Sequence, residues 1–352
     1  MCRVDAERRP RGAPAANHGR QTPVNTIRIL GTGSYVPPQV LTNQDLAARG
    51  LDTSDEWIVR RTGVRERRIA APHVATSDLG LEAARAALDR AGIGAHTLDL
   101  IIVATITPDT CCPSAANWLQ AKLNAPQARS FDVTAACSGF VFALDVAKQY
   151  LANGTCRCVL VVAAEVMSRT LDWTDRTTCI LWGDGAGAAV LAVDGEGPEI
   201  LSTTIHTDGA QGQDLLLPGG GSRTTPISHE SVEEGRHLLR MRQANFSFKV
   251  AVRYLADAIR EAADLNHLEV EEIDWFIPHQ ANLRLLEATA KELAVPTEKF
   301  YLTLRKYGNI SSASCAIALD EAARDGSLRP GNLVCVPVFG GGLTWGAAMV
   351  RW

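Results

Sequence analysis

The second half of this chain repeats the first. Asp99-Leu100-Ile101-Ile102-Val103-Ala104 is answered 175 positions later by Asp274-Trp275-Phe276-Ile277-Pro278-His279. The stretch Phe131-Asp132-Val133-Thr134-Ala135-Ala136-Cys137-Ser138-Gly139-Phe140 starts strand-like, narrows through two alanines to a cysteine, and runs into a helix. Its counterpart is Lys306-Tyr307-Gly308-Asn309-Ile310-Ser311-Ser312-Ala313-Ser314, with Cys137 and Asn309 separated by 172 positions. The glycine turn Gly183-Asp184-Gly185-Ala186-Gly187 returns as Phe339-Gly340-Gly341-Gly342-Leu343-Thr344-Trp345-Gly346. Agreeing offsets over this length mark a tandem duplication of an α/β unit. Continuous apolar runs such as 98–105 and 158–164 fit strands covered on both faces. The halves are expected to pack around a pseudo-two-fold axis, so that the Cys137 loop faces the Asn309 loop across one site. Residues 27–200 should form the first half, 201–248 a connecting strand and loop or flap, and 249–352 the second half.

A chain of 352 residues buries about 75% of its unfolded surface, enough for a large core without staples. Its 46% hydrophobic and 21% charged residues are ordinary for a soluble globular protein, and a net charge of −4 gives no reason to expect nucleic acid as a partner. Nine cysteines, most in apolar surroundings, read as reduced thiols of a cytoplasmic protein. Cys156-Arg157-Cys158 lacks a second ligand pair, so no metal is expected. No apolar run is long enough to span a membrane. Residues 1–26 have no apolar stretch for a secretory signal and read as a disordered tail.

Two places carry chemistry on residue type alone. Cys137 precedes a helix with Val141, Leu144, Ala147 and Leu151 on one side. Unpaired N–H groups and the macrodipole at that end should lower the thiol's pKa and supply a nucleophilic thiolate. Trp57 and Arg61 lie four apart in a helical segment, so an indole and a guanidinium share a face that suits a planar ring.

Ala135-Ala136-Cys137-Ser138-Gly139, Pro278-His279-Gln280-Ala281-Asn282 and Gly308-Asn309-Ile310-Ser311-Ser312 resemble the Cys, His and Asn motifs of β-ketoacyl-[acyl-carrier-protein] synthase III. The likeness runs from about Ile27 to Trp352 and includes Thr53-Ser54-Asp55-Glu56-Trp57-Ile58-Val59. The family has the thiolase fold, so the resemblance implies α/β, a five-layered αβαβα architecture from two duplicated halves. It also implies a decarboxylative Claisen condensation of an acyl-CoA primer with malonyl-acyl-carrier protein, with Cys137, His279 and Asn309 catalytic. Cys137 would hold the acyl group, while His279 and Asn309 would donate hydrogen bonds to the enolate. Backbone N–H groups of Cys137 and Gly341 would form the oxyanion hole. Trp57 and Arg176 would sandwich the adenine of coenzyme A, Arg61 would meet its phosphates, and Asn282 would line the pantetheine tunnel. Lys249, Arg253, Arg284 and Lys291 are spaced to present a basic patch to an acidic carrier protein. A homodimer is expected, with no resident cofactor, coenzyme A thioester being a substrate.

Two departures stand out. Where the family often has an aromatic residue before Pro-Ser, reaching across the dimer to close the acyl pocket, this chain has Cys112, which predicts room for longer or bulkier primers. Arg242-Gln243-Ala244-Asn245 also differs from the usual glycine-containing stretch. Among relatives, degradative thiolases need a second cysteine beside the terminal glycines, and Cys335 lies too far upstream. Elongating synthases pair cysteine with two histidines, where this chain has Asn309. Plant-type polyketide synthases share Cys-His-Asn but end in another glycine motif. The alternative is a related synthase of secondary metabolism with a longer, branched or aromatic primer. Gly183-Asp184-Gly185-Ala186-Gly187 precedes a strand instead of opening a helix, so it is no dinucleotide site.

Overall fold

Each copy of the repeat builds a sheet of the same topology. The computed structural model describes residues 25–213, 215–222, 226–241 and 244–352, without the side chains of 244–247. The tail reading, up to residue 24, lies outside what is described, as do Arg242, Gln243 and the side chains of Ala244 and Asn245. The first half contributes β1 (Ile27–Tyr35), β2 (Leu100–Ala104), β3 (Arg129–Val133), β4 (Cys158–Val166) and β5 (Asp184–Val193). The second contributes β6 (Glu199–Thr207), β7 (Trp275–Phe276), β8 (Leu333–Gly340) and β9 (Thr344–Arg351).

Strand order is β7-β8-β9-β6-β1-β5-β4-β2-β3. Within each half the first strand pairs antiparallel with the fifth, the fifth antiparallel with the fourth, and the fourth parallel with the second. In the first half the second strand then pairs parallel with the third. The equivalent of that third strand in the second half has shrunk to one parallel bridge, Phe276 to Phe300. The two sheets touch through a single pairing, Arg28 with Glu199. β6 is therefore the first strand of the second sheet, and the second half begins at Glu199.

Helices fill three layers around these sheets. Apart from α1 (Asp55–Thr62), they are α2 (Thr76–Ala91), α3 (Ala115–Lys122), α4 (Gly139–Ala152), α5 (Ala244–Leu265), α6 (Leu283–Glu292) and α7 (Ala313–Arg324). One apolar cluster joins α2 and α3 to the outer face of the first sheet, through Leu79, Ala83, Leu119, Leu160 and Val162. A second joins α5 and α6 to the outer face of the second sheet, through Leu255, Ile259, Leu286 and Met349. The largest lies between the sheets and contains Phe140 and Leu144 of α4 with Ile317 and Leu319 of α7. The order helix, sheet, helix, sheet, helix is the expected five layers. α4 and α7 carry the Cys137 and Asn309 loops at their N-termini, so burial of the central layer sets the distance between the two loops. Gly139 permits this approach: a Cβ there would lie 3.1 Å from Ser312 Cβ and 3.0 Å from Ala104 Cβ.

Candidate active site

Each of the two loops reaches its helix through one residue in the left-handed backbone region, Ala136 at φ 46° and Ser311 at φ 47°. These residues are 175 positions apart, one more trace of the duplication. An L-residue held there costs on the order of 1–2 kcal/mol, so the surroundings must over-determine it. At Cys137 they do. Ser138 Oγ donates to Thr344 O at 3.0 Å, and Thr344 Oγ1 donates to Ala135 O at 3.0 Å, pinning the nucleophile turn to the β8–β9 hairpin. Gly340 completes the fit, because a Cβ there would stand 2.7 Å from Cys137 N and 3.0 Å from Ser138 N. Any side chain at 340 would cover the amide expected to serve the oxyanion hole.

The Asn309 loop is held as firmly. Asn309 N donates to Leu181 O at 2.8 Å, and Gly183 N donates to Asn309 O at 3.0 Å. Its side-chain oxygen accepts from Ser311 N at 2.8 Å, which assigns the amide: the oxygen is consumed within the loop and the NH₂ is left as a donor. Leu181 is in turn steadied by Arg67, a fully buried guanidinium that donates to Ile180 O at 2.7 Å. Burial pushes that arginine down to about 10.

His279 sits where β7 ends, with its N–H donating to Pro337 O at 2.9 Å. Gln280 locks the turn: its Oε1 accepts from Thr303 N and Leu304 N, both at 2.8 Å, and its Nε2 donates to Tyr301 O at 3.0 Å. Burial pushes the His279 imidazole down to about 4, opposed by the backbone of Ser311. That opposition falls short of a formed hydrogen bond, since Nδ1 is buried without a partner among the described residues. The ring is therefore neutral at physiological pH, with one N–H to offer.

Cys137, His279, Asn309, Gly340 and Gly341 line one cavity of about 180 Å³. The lowered thiol pKa expected from the helix end is not found. Burial dominates and pushes the Cys137 thiol up to about 12; the Ser311 hydroxyl opposes this, and a negative charge on Glu165 would add to it. The resting nucleophile is a thiol.

A second cavity, of about 870 Å³, shares Leu181, Met241, Phe248 and Asn282 with the first and opens between Trp57, Arg61, Arg176, Lys249 and Arg284. Asn282 stands at the junction and caps α6, its Oδ1 accepting from Leu285 N at 2.9 Å. At the mouth, the Arg176 and Arg61 guanidinium carbons lie 5.1 and 5.4 Å from the Trp57 ring centre. Arg176 is steered there by Asp52, at 2.8 Å from its carboxylate. α1 presents Trp57 because Ser54 caps it, accepting from Trp57 N, while Gly63 ends it at φ 83°. Lys249, Arg253, Arg284 and Lys291 are all exposed. Lys249 and Arg284 stand on the rim itself, and Arg253 lies over Tyr254 at 4.8 Å.

Beyond the nucleophile, a cleft of about 1030 Å³ runs past Ala135, Ala136, Leu215 and Leu217 to Thr110 and Cys111. In the single chain Cys111 lines this cleft, while Cys112 is exposed beside it. Among the described residues no cluster of ligating side chains could hold a metal ion. Sequence reasoning missed Gln280, Arg67 and Glu165, each a polar residue that is fully buried.

Two family models match the chain. Residues 131–209 match 3-oxoacyl-[acyl-carrier-protein] synthase III, and residues 263–352 match the C-terminal part of the same family. The β-ketoacyl-[acyl-carrier-protein] synthase III of Caldanaerobacter subterraneus subsp. tengcongensis is 48% identical over 324 residues, covering 92% of this chain and 97% of that one. The crystal structure of 3-oxoacyl-[acyl-carrier-protein] synthase III from Aquifex aeolicus superposes with a TM-score of 0.84 at 41% identity, covering 93% of this chain and all of that one. The priming β-ketosynthase of the R1128 polyketide pathway superposes at 0.85 with 34% identity over 95% of this chain and 98% of its own. With its duplicated sheets, its paired loops and this likeness along nearly its whole length, the chain belongs to the β-ketoacyl-[acyl-carrier-protein] synthase III family.

Proposed function

We infer that this chain catalyses the condensation that initiates fatty acid synthesis, joining an acyl-CoA primer to malonyl-acyl-carrier protein. The observation that carries the reading is the Asn309 amide, whose oxygen is tied to Ser311 N so that its NH₂ remains a donor in the cavity of Cys137 and His279.

The mechanism is ping-pong. Cys137 attacks the acyl-CoA thioester, and the tetrahedral oxyanion is held by the N–H groups of Cys137 and Gly341. The thiol proton leaves with the CoA sulfur as free coenzyme A, and the acyl group stays on Cys137. Malonyl-carrier protein then enters, and its thioester oxygen accepts from the neutral His279 ring and from Asn309 Nδ2. Loss of CO₂ leaves an enolate on that oxygen, each donor being worth roughly 3–4 kcal/mol. The enolate carbon attacks the acyl-enzyme, releases the β-ketoacyl product on the carrier protein, and returns Cys137 to the thiol by uptake of one proton. The chemistry needs no resident cofactor.

Trp57 and Arg176 part to admit the adenine, Arg61 meets the phosphates, and Asn282 guides the pantetheine arm. The exposed Lys249, Arg253, Arg284 and Lys291 offer a landing surface for an acidic carrier protein around the same mouth. The enzyme works as a homodimer in the cytoplasm, with Cys112 ending the partner's acyl pocket and leaving space for primers beyond acetyl. Incubation with labelled acyl-CoA tests the core of the reading. Wild type should retain label at Cys137 and pass it to malonyl-carrier protein; label that persists in Cys137→Ala would refute the acyl-enzyme. A synthase of secondary metabolism is the second reading, favoured by the likeness to a polyketide priming enzyme and by Cys112.

A further inference from the structure

Glu165 is the only charged-type residue in β4, whose nine residues are all buried, and it is near enough to the Cys137 thiol for a charge on it to be felt there. Its oxygens are used unequally. Oε2 accepts from Ile106 N at 3.0 Å, Thr107 Oγ1 at 2.8 Å and Thr105 Oγ1 at 3.1 Å. Both threonine protons are directed there, because Thr107 Oγ1 already accepts from Val166 N at 2.9 Å and Thr105 Oγ1 from Thr107 N at 3.0 Å. Oε1 faces Ser312 Oγ at 2.8 Å, and that hydroxyl also lies 3.1 Å from the carbonyl of Ala104.

Ser312 has one proton and faces two acceptors. If Glu165 were a carboxylate, one of these two contacts would set lone pairs against each other in a dry interior. A proton on Oε1 resolves the chain: Glu165 donates to Ser312 Oγ, and Ser312 donates to Ala104 O. We propose that Glu165 is held as the neutral acid and acts as a positioning residue, fastening the Asn309 loop to the end of β2 behind Cys137 without placing a negative charge against the thiolate.

The surroundings agree. The end of β2 and the loop after it bring Thr105, Ile106 and Thr107, the start of α7 brings Ser311 and Ser312, and the nucleophile turn brings Cys137. Cys137 alone among them titrates, and none brings a cation; no ion pair to Glu165 exists among the described residues. Burial raises the carboxyl's proton affinity. An ionised Glu165 would hinder Cys137 from losing its proton. Ser311 has a fully buried hydroxyl with no formed hydrogen bond among the described residues, and with the backbone of Cys137 it favours the thiolate.

The inference rests on reading Cys137 as the nucleophile, so its tests read the thiol and the acid directly, apart from condensation. E165Q reproduces the neutral arrangement, with a carbonyl for the three donors and an NH₂ for Ser312. It should keep kcat/KM and the pH profile of Cys137 alkylation by iodoacetamide within about twofold of wild type. Wild type should show an infrared carbonyl band of a protonated carboxylic acid, unchanged from about pH 6 to 9 and absent from E165Q. E165L should lower kcat/KM by about tenfold or more; if E165L does not fold, E165Q and the infrared band still decide. A carboxylate band with no acid band would overturn the proposal. So would faster Cys137 alkylation in E165Q at neutral pH, the sign of a negative charge removed, or a loss of about 100-fold in E165Q activity.

Discussion

Replacing Gly340 with alanine should separate the two halves of the reaction. The added Cβ would sit 2.7 Å from Cys137 N and 3.0 Å from Ser138 N, while ordinary contact begins at 3.4 Å, so backbone must move by several tenths of an ångström. Neither side yields cheaply, since Ser138 and Thr344 tie the nucleophile turn to the β8–β9 hairpin. Overpacking of this kind costs about 1–3 kcal/mol of stability. The functional cost is larger, because displacing one oxyanion donor typically loses about 10²–10³ in rate. In the proposed mechanism acylation uses that donor, whereas decarboxylation relies on His279 and Asn309, on a different loop pair. G340A should therefore form acyl-enzyme about 10²–10³ slower while releasing CO₂ from malonyl-carrier protein within about tenfold of wild type. Rapid-quench mass spectrometry of the acylated protein and trapping of labelled CO₂ measure the two rates. Acylation at the wild-type rate, or equal loss of both reactions, would refute the reasoning.

The opposite split is expected of N309D, which keeps the acceptor for Ser311 N but loses the NH₂ donor: decarboxylation should fall about 10²–10³-fold while acylation persists. W57A and R176A should raise the KM for acyl-CoA about tenfold with little change in kcat, and should leave acyl-pantetheine substrates unaffected, as competition kinetics would reveal. With Cys137 pushed up to about 12, alkylation of the free enzyme should keep rising with pH beyond the ordinary cysteine range, with no plateau near 8.5. His279 is pushed down to about 4 from 6.5, so the unfolded chain binds the extra proton first. Stability should then fall as pH drops from about 6.5 towards 4, by on the order of 3 kcal/mol, and H279A should flatten that slope in denaturant titrations.

The duplication made most of the architecture readable in advance. Segments matching at offsets of 172 and 175 took equivalent places in two sheets whose shared strands run in the same order, and thereby put Cys137, His279 and Asn309 around one cavity. Glu199–Thr207 escaped recognition as a first strand because strand pairing, rather than any shared motif, defines it. The equivalent of β3 had too little strand left, at Phe300, to leave a pattern. The thiol's pKa was misjudged because a helix end is visible in sequence, whereas the depth of the cavity around it is not. Glu165 did leave a signal, one acid inside an otherwise apolar strand. Its meaning depends on which hydroxyls surround it, and those come from residues 60 and 147 positions away.

The cavity of Cys137 adjoins, at Asn282, the cavity whose mouth is flanked by Trp57 and Arg176. In the proposed mechanism a carrier-borne substrate and a CoA-borne substrate each bring a thioester on a pantetheine arm, and both use this mouth in turn. On that reading the order of events is set by traffic through a shared passage. Coenzyme A must clear the lane before the carrier protein can use it. A rising pool of acyl-CoA would block the second substrate at the doorway, giving the enzyme a brake that needs no separate regulatory site.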